Sequence, residues 1–232
     1  MTSGEPPGEL IGAGRSADIY AVGKDRVLRR FRGDFDMGVE AEIMIHLAKA
    51  GFPVPAVYDV SGPDLVMERL DGPDMLADLT RRPWRARRYG RMLADLHNQL
   101  HEIEAPAGTR QLVSPGDRVL HLDFHPGNVM LTSRGPVVID WSNGSAGAPG
   151  ADVAMAYLIM ASSEVDNMPM LIRPVAKTTR AQLIAAFLSG VQNDPGPHVP
   201  AVARLRMSDP NVRPSEVERL QQLAEQASQR PS

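Results

Sequence analysis

The chain has 232 residues, 43% of them hydrophobic and 23% charged, enough for one large domain or two small lobes around a substantial core. A net charge of −3 gives no global field toward nucleic acid or an anionic membrane, and the absence of cysteine excludes a disulfide framework and thiolate metal sites. No apolar run is long enough to span a bilayer, and Met1 to Glu9 lacks the basic start and apolar core of a signal peptide, so a cytoplasmic protein with neither a membrane nor a nucleic-acid partner is expected.

In chain order, residues 1–70 read mostly as strands with one helix. Leu10 leads into a glycine turn at Gly12-Ala13-Gly14, and Asp18 to Val22 with Arg26 to Phe31 form a hairpin around Gly23-Lys24-Asp25. Asp36 to Ala50 has helical spacing, with Val39, Ile43, Leu47 and Ala50 on one side. Gly51 ends that helix, and Pro53 and Pro55 forbid its resumption. Two short strands follow, Val57 to Val60 and Leu65 to Met67, before Asp71-Gly72-Pro73 breaks the chain. Beyond the break the pattern turns helical. Trp84 to Ile103 is amphipathic, with Leu93, Leu96, Leu100 and Ile103 spaced for burial. Further helices are expected at Ala151 to Ala161, Thr179 to Val191, Val199 to Arg206 and Ser215 to Ala227. Ser215 stands as N-cap of the last, with Glu218 completing a capping box.

Between the long helix and the later ones lies the stretch richest in chemistry, His121-Leu122-Asp123-Phe124-His125-Pro126-Gly127-Asn128, followed by Val137-Val138-Ile139-Asp140. An aspartate, an asparagine five residues on, and a second aspartate ending an apolar strand suit phosphoryl transfer. One carboxylate orients the attacking hydroxyl, while an amide oxygen and another carboxylate hold Mg²⁺ on the nucleotide phosphates. The competing reading of His-x-Asp-x-His is a zinc or iron site on an extended segment, because alternate side chains share a face. That reading gives Pro126-Gly127-Asn128 no role.

At this point the chain resembles the aminoglycoside phosphotransferase and choline kinase-like family, whose members carry His-x-Asp-x-His-x-Gly-Asn and then a strand ending in Ile-Asp. Here these are His121, Asp123, His125, Gly127 and Asn128, then Ile139-Asp140. The second loop position, often Gly in the family, is Leu122. The resemblance spans roughly residues 10 to 165 and implies an α+β, bilobal protein kinase-like fold. Residues 1–70 would form a nucleotide-binding lobe with a small antiparallel sheet and one helix, and residues 71–232 a mainly helical catalytic and acceptor-binding lobe. It implies ATP and Mg²⁺ as cofactors, Asp123 as the catalytic residue, and Asn128 and Asp140 as the metal ligands.

The nucleotide half follows from the same resemblance. Gly12, Gly14 and Ser16 lie in a G-x-G-x-x-A string flanked by strands. There, glycines admit close approach of backbone amides to phosphate oxygens. Arg29 occupies the place of the family's phosphate-binding lysine. Strand alternation sets it between Val27 and Phe31 on one face, where an inward cation wants an anionic partner, and leaves Arg30 facing solvent. Glu40 is the expected partner of Arg29, because it shares the apolar stripe with Ile43 and Leu47, whereas Glu42 lies off it. Backbone groups near Glu68 and Leu70 are the implied adenine contacts.

His121, His125 and His97 read as braces, and Asp152 as a first-turn acid which the resemblance connects to the loop. Arg81, Arg82, Arg85, Arg87, Arg88 and Arg91 form a basic cluster, either a solvated face or a site for an anionic substrate or partner. Only eleven residues separate Asp140 from Asp152, too few for the activation segment of a protein kinase, so a small-molecule hydroxyl acceptor is favoured. A compact atypical protein kinase and a nucleotide-binding pseudo-enzyme are the alternatives. For the acceptor, Trp141, Tyr157 and Phe187 offer a thin aromatic set, and Glu164, Asp166 and Asp194 a sparse acidic one.

Overall fold

Short runs of Val, Ile and Leu separated by glycine turns build an antiparallel sheet at the start of the chain. The computed structural model describes residues 8–14, 17–33, 36–163, 169–209 and 212–229. The strands β1 (Leu10–Ala13), β2 (Ala17–Val22) and β3 (Arg26–Phe31) are followed by α1 (Gly38–Lys49), β4 (Val57–Ser61) and β5 (Asp64–Glu68). They form one sheet in the order β1-β2-β3-β5-β4, with Ile19 opposite Arg29 and Arg29 opposite Leu65. Gly23, at φ 67°, makes the tight β2–β3 turn that a residue with a Cβ would strain.

After β5 the chain runs through α2 (Met75–Arg81), α3 (Ala86–Leu100) and β6 (Arg118–Leu120), then β7 (Val129–Thr132) and β8 (Gly135–Val138). It ends with β9 (Ser145–Gly147), α4 (Pro149–Ser162), α5 (Arg173–Leu188), α6 (Val199–Met207) and α7 (Pro214–Ser228). Two compact units result, Met1–Pro73 with Met130–Ser142, and Asp74–Val129 with Asn143–Ser232. The segment carrying Asp140 thus joins the N-terminal strands. Leu131 N–H donates to the Pro73 carbonyl and Val138 N–H to that of Pro53, at 2.9 Å each.

In the first unit, α1 buries Glu40, Ala41, Ile43, Met44 and Leu47, with Met37 just ahead of it. The expected stripe is therefore rotated: Val39 and Ala50 face solvent. Seating Met37 and Met44 at helical spacing from Glu40 and Leu47 covers more apolar area than Val39 and Ala50 would.

In the second unit, α3 lies along α5, and Gly90 makes the approach possible. A Cβ there would stand 2.4 Å from the Leu183 carbonyl oxygen. A second cluster gathers Leu120 and Leu122 with Leu158 of α4, Val202 of α6 and Leu220 of α7. The helix α2 is unexpected from sequence. Asp74 caps it by accepting from Ala77 N–H at 2.7 Å. The start of α5 lies ahead of Thr179 because Pro174 fits a helical first turn, where its missing N–H costs nothing. The same rule corrects the last helix. Pro214 takes the first helical position, the cap is Arg213 without a side-chain bond, and Ser215 lies inside the helix. Among the described residues no helix is long and apolar enough to cross a membrane.

Candidate active site

In the first unit three charged side chains meet. Arg29, from the β3 position opposite Ile19 and Leu65, hydrogen-bonds Glu40 of α1 and donates through Nη2 to Asp140 Oδ1 at 2.8 Å. Asp140 follows β8 at φ 65°, a left-handed conformation that costs a non-glycine residue roughly 1–3 kcal/mol and turns its carboxylate toward Arg29. Ser142 Oγ donates to the same Oδ1 at 2.9 Å. Trp141 anchors this turn. Its indole N–H reaches the Val138 carbonyl at 3.1 Å, its ring meets Phe52 edge-on, and its backbone N–H donates to Glu40 Oε1 at 3.2 Å. Glu40 is buried, and its Oε2 accepts no hydrogen bond from the described residues. Burial works against the Arg29 charge, but Glu40 and Asp140 outweigh it and hold the guanidinium above its ordinary pKa. Burial pushes the Glu40 carboxyl up, and Arg29 opposes that shift. One cation against two carboxylates leaves a net negative charge, which suits an added divalent cation.

The neighbours behave differently. Arg30 forks onto Asp64 at 2.7 and 2.6 Å in a half-buried pair, and Glu42 is exposed. Gly12 pairs with Ile19 in the β1–β2 ladder, and a Cβ there would make only ordinary contact with the Ile19 side chain. Gly14 N–H donates to the Ala17 carbonyl at 2.8 Å. Ser16 lies outside the described residues. The Glu68 N–H is taken by the Ala56 carbonyl at 2.8 Å, and its carboxylate by Ala56 N–H and Arg134. A ligand contact at Glu68 would therefore use its carbonyl. Leu70 follows just after β5.

In the second unit the loop after β6 is held from behind. Asp152, fully buried in the first turn of α4, accepts from Leu122 N–H at 2.7 Å and His121 N–H at 3.2 Å, and meets His101 Nε2 at 3.1 Å. Burial alone would raise this carboxyl. His101, His97 and His121 outweigh it and hold Asp152 well below the usual carboxylate range. Leu122 has φ 57°, which explains why glycine suits this position, and its side chain is buried in the α4–α6–α7 cluster. Asn128, in the 3-10 turn Pro126–Asn128, donates through Nδ2 to the Asp123 carbonyl at 2.8 Å and to Asp123 Oδ2 at 3.1 Å. Its Oδ1 is left as its acceptor atom. His121 Nδ1 accepts from Asp123 N–H and His125 Nδ1 from Gly127 N–H. Both histidines brace the backbone, against the zinc reading, and no group of three or more His, Asp or Glu fit for a metal gathers among the described residues. His97 stacks on Phe124 with its Nδ1 on the Leu93 carbonyl, and burial pushes its pKa down to about 4.

Arg206 of α6 is the residue that no motif announces. Its Nη1 lies 3.9 Å from Asp123 Oδ1, while its Nε is held by Glu216 at 3.1 Å. The acceptor candidates fare poorly. Trp141 and Phe187 are fully buried, Asp194 is tied to Gly196 N–H, and Glu164 and Asp166 lie outside the described residues.

A model of the phosphotransferase enzyme family matches residues 8–114 and 104–186. Among solved structures, a choline/ethanolamine kinase family protein from Mesorhizobium loti superposes with a TM-score of 0.62 at 16% identity, covering 99% of this chain and 90% of that one. The ADP-bound aminoglycoside phosphotransferase APH(2'')-Ib gives 0.55 at 14% identity, with 94% of each chain covered. An aminoglycoside-3'-phosphotransferase of type VIII gives 0.55 at 18% identity, over 95% of this chain and 94% of that one. These likenesses establish a protein kinase-like α+β fold. A probable bifunctional tRNA threonylcarbamoyladenosine biosynthesis protein of Methanosarcina mazei is 27% identical over 136 residues. That match spans 51% of this chain and only 24% of the relative.

Proposed function

The chain belongs to the phosphotransferase enzyme family, and from that premise we propose that it transfers the γ-phosphate of ATP to a hydroxyl of a small molecule. The observation that carries this reading is the Arg29–Glu40–Asp140 cluster. A buried guanidinium between two carboxylates is kept charged and aimed, so that a phosphate oxygen can replace Asp140 as the partner of Nη2. Gly12 supports it, since its own hairpin does not require a missing Cβ and the bare backbone leaves room for phosphate. Gly14 and Ser16 are phosphate contacts in this reading, and the Glu68 carbonyl and Leu70 N–H would meet the adenine edge.

Asn128 Oδ1 and the Asp140 carboxylate would hold Mg²⁺. The donor set fits, because Mg²⁺ prefers oxygen ligands, few of them from protein, with phosphate and water completing its shell. When bound, the ion neutralises charge on the transferred phosphoryl group. Asp123 orients the acceptor hydroxyl and takes its proton late, and Arg206 and Asn128 fix the direction of its carboxylate. Asp152 holds the loop that presents it.

The acceptor is defined here as a small hydroxyl compound. The buried Trp141 and Phe187 give no support to an aromatic cage for a choline-like head group. The test is a screen of amino alcohols, aminoglycosides, sugars and nucleosides for ATP-dependent phosphorylation, with peptide mixtures beside them and Asp123→Ala as control. Phosphorylation of a small molecule, lost in Asp123→Ala, supports the reading. Transfer to peptides alone, or none to any acceptor, counts against it.

A further inference from the structure

Pro214 opens α7, and Glu216 falls in its first turn, where the helix dipole favours a carboxylate. Such an acid is ordinarily solvated. The Glu216 side chain is only 16% exposed, and its Oε1 accepts twice: from Ser162 Oγ at the end of α4 at 3.3 Å, and from Arg206 Nε of α6 at 3.1 Å. Ser162 is buried, and Arg219 of α7 donates to the Ser162 and Ser163 carbonyls at 3.2 and 3.0 Å. The first turns of α7 are therefore clasped to the end of α4, with Leu220 buried behind them.

Arg206 carries this anchorage to the loop. Its Nη1 lies 3.9 Å from Asp123 Oδ1 and 3.7 Å from Asp209 Oδ2. Of the three carboxylates around it, only Glu216 is within hydrogen-bonding distance. That bond fixes more than position. A guanidinium is planar, so holding Nε also sets the plane in which Nη1 points. The two oxygens of Asp123 meet different neighbours. Oδ2 accepts from Asn128 Nδ2 at 3.1 Å, while Oδ1 faces Arg206 Nη1 and, at 3.7 Å, His125 Nε2. Both distances to Oδ1 are too long for hydrogen bonds. The cation thus attracts Oδ1 without filling the lone pair that a hydroxyl proton must reach.

We propose that Glu216 is a positioning residue for the carboxylate of Asp123, an inference that rests on the phosphotransferase reading above. Glu216 sets the plane of Arg206, and Arg206 sets the direction of Oδ1. By this route α7, which holds no residue of the loop motif, takes part in aiming the group that receives the acceptor hydroxyl. Asp152 holds the loop backbone from behind, and the Glu216–Arg206 pair holds the side chain from the front.

The test uses the full chain, with ATP as donor and, as acceptor, the compound of the screen above that the parent phosphorylates. Arg206→Ala should lower kcat by roughly a hundredfold and Glu216→Ala by roughly tenfold, as misplaced catalytic groups do. The KM for Mg-ATP should stay within about twofold, because Asp123 meets only the acceptor. Glu216→Gln should remain within about threefold of the parent, since its amide oxygen still accepts from Nε. Arg206→Lys should resemble Arg206→Ala, because an ammonium has no plane to be set. Glu216→Ala added to Arg206→Ala should cost nothing further, as expected of residues acting in series. Glu218→Gln, on the exposed side of α7, should match the parent. This pattern supports the proposal. A Glu216→Ala variant with the parent's kcat overturns it, as does a Glu216→Ala loss that adds in full to that of Arg206→Ala, which marks a purely structural role. The Arg206 Nε–H resonance in a ¹⁵N spectrum reads the link without turnover. It should be protected from solvent exchange in the parent and in Glu216→Gln, and lose that protection in Glu216→Ala. An unprotected Nε–H in the parent overturns the inference by itself. A parent that shows the protected resonance but phosphorylates no acceptor defeats the phosphotransferase reading, and the positioning role falls with it.

Discussion

The two units hold their key carboxylates by different means. In the sheet unit, Asp140 is fixed by charge: Arg29 bridges it to Glu40, and its side chain is still 39% exposed. In the helical unit, Asp123 sits on a loop fixed by backbone hydrogen bonds to a buried acid and by apolar packing of Leu122. The first arrangement can be re-paired by a phosphate or a cation without disturbing the fold. The second is part of the core, and what disturbs it also disturbs stability. Adaptable charge suits binding a polyanion, and a rigid loop suits positioning a hydroxyl.

The largest effect should come from Asp152→Ala. It strips two backbone N–H groups and His101 of a buried acceptor, and urea denaturation should show a loss of roughly 3–5 kcal/mol. Glu40→Gln in the other unit should cost less than half of that and register mainly in nucleotide affinity. Equal losses would erase the distinction between the units.

The pH dependence sharpens it further. His97 titrates near 4 in the fold and near 6.5 when unfolded. As pH falls through this window the unfolded chain takes up the proton first. Stability should therefore drop by roughly 3 kcal/mol from above pH 6.5 to below pH 4. Denaturation midpoints across that range, compared with His97→Gln, check it. The variant should flatten the slope.

Leu122 offers a test in which the usual order of substitutions reverses. Leu122→Ala loses buried packing, roughly 2–5 kcal/mol, and keeps the strain of φ 57°. Leu122→Gly loses the same packing but is relieved of roughly 1–2 kcal/mol of strain. Glycine should thus prove the less damaging change, contrary to the result at an ordinary core leucine. The smallest effect belongs to Arg30→Ala. Its pair with Asp64 is half-exposed and open to solvent screening, and the loss should stay within about 1 kcal/mol.

Much of this was open to reading from the sequence. Strand alternation with the helix stripe pairs Arg29 with Glu40 rather than with Glu42, as the structure has it, and the spacing of Asp123, Asn128 and Asp140 is what suggests the proposed site before any fold is known. Other features have no local signature. Asp152 by itself reads as a first-turn acid, and only the family resemblance connects it to the loop, where it accepts from the His121 and Leu122 N–H groups. Arg206 reaches Asp123 because α6 packs on α4, a matter of tertiary contact. The helix α2 is hidden by its length and by the Asp71-Gly72-Pro73 break before it. The membership of residues 130–142 in the N-terminal unit rests on long-range hydrogen bonds to Pro53 and Pro73.

The central claim is that Asp140 and Arg29 handle the phosphates while Asp123 handles the acceptor. Calorimetric titration of Mg-ATP and of adenosine into the parent chain and three variants tests it most directly. Asp123→Ala should bind Mg-ATP within about twofold of the parent. Asp140→Ala should lose metal-dependent binding. Arg29→Ala should weaken Mg-ATP by roughly 1.5–3 kcal/mol while leaving adenosine unchanged, because only the phosphates lose a charged hydrogen bond. Loss of Mg-ATP affinity in Asp123→Ala equal to that in Asp140→Ala, or an Arg29→Ala variant that binds Mg-ATP as the parent does, would contradict the account.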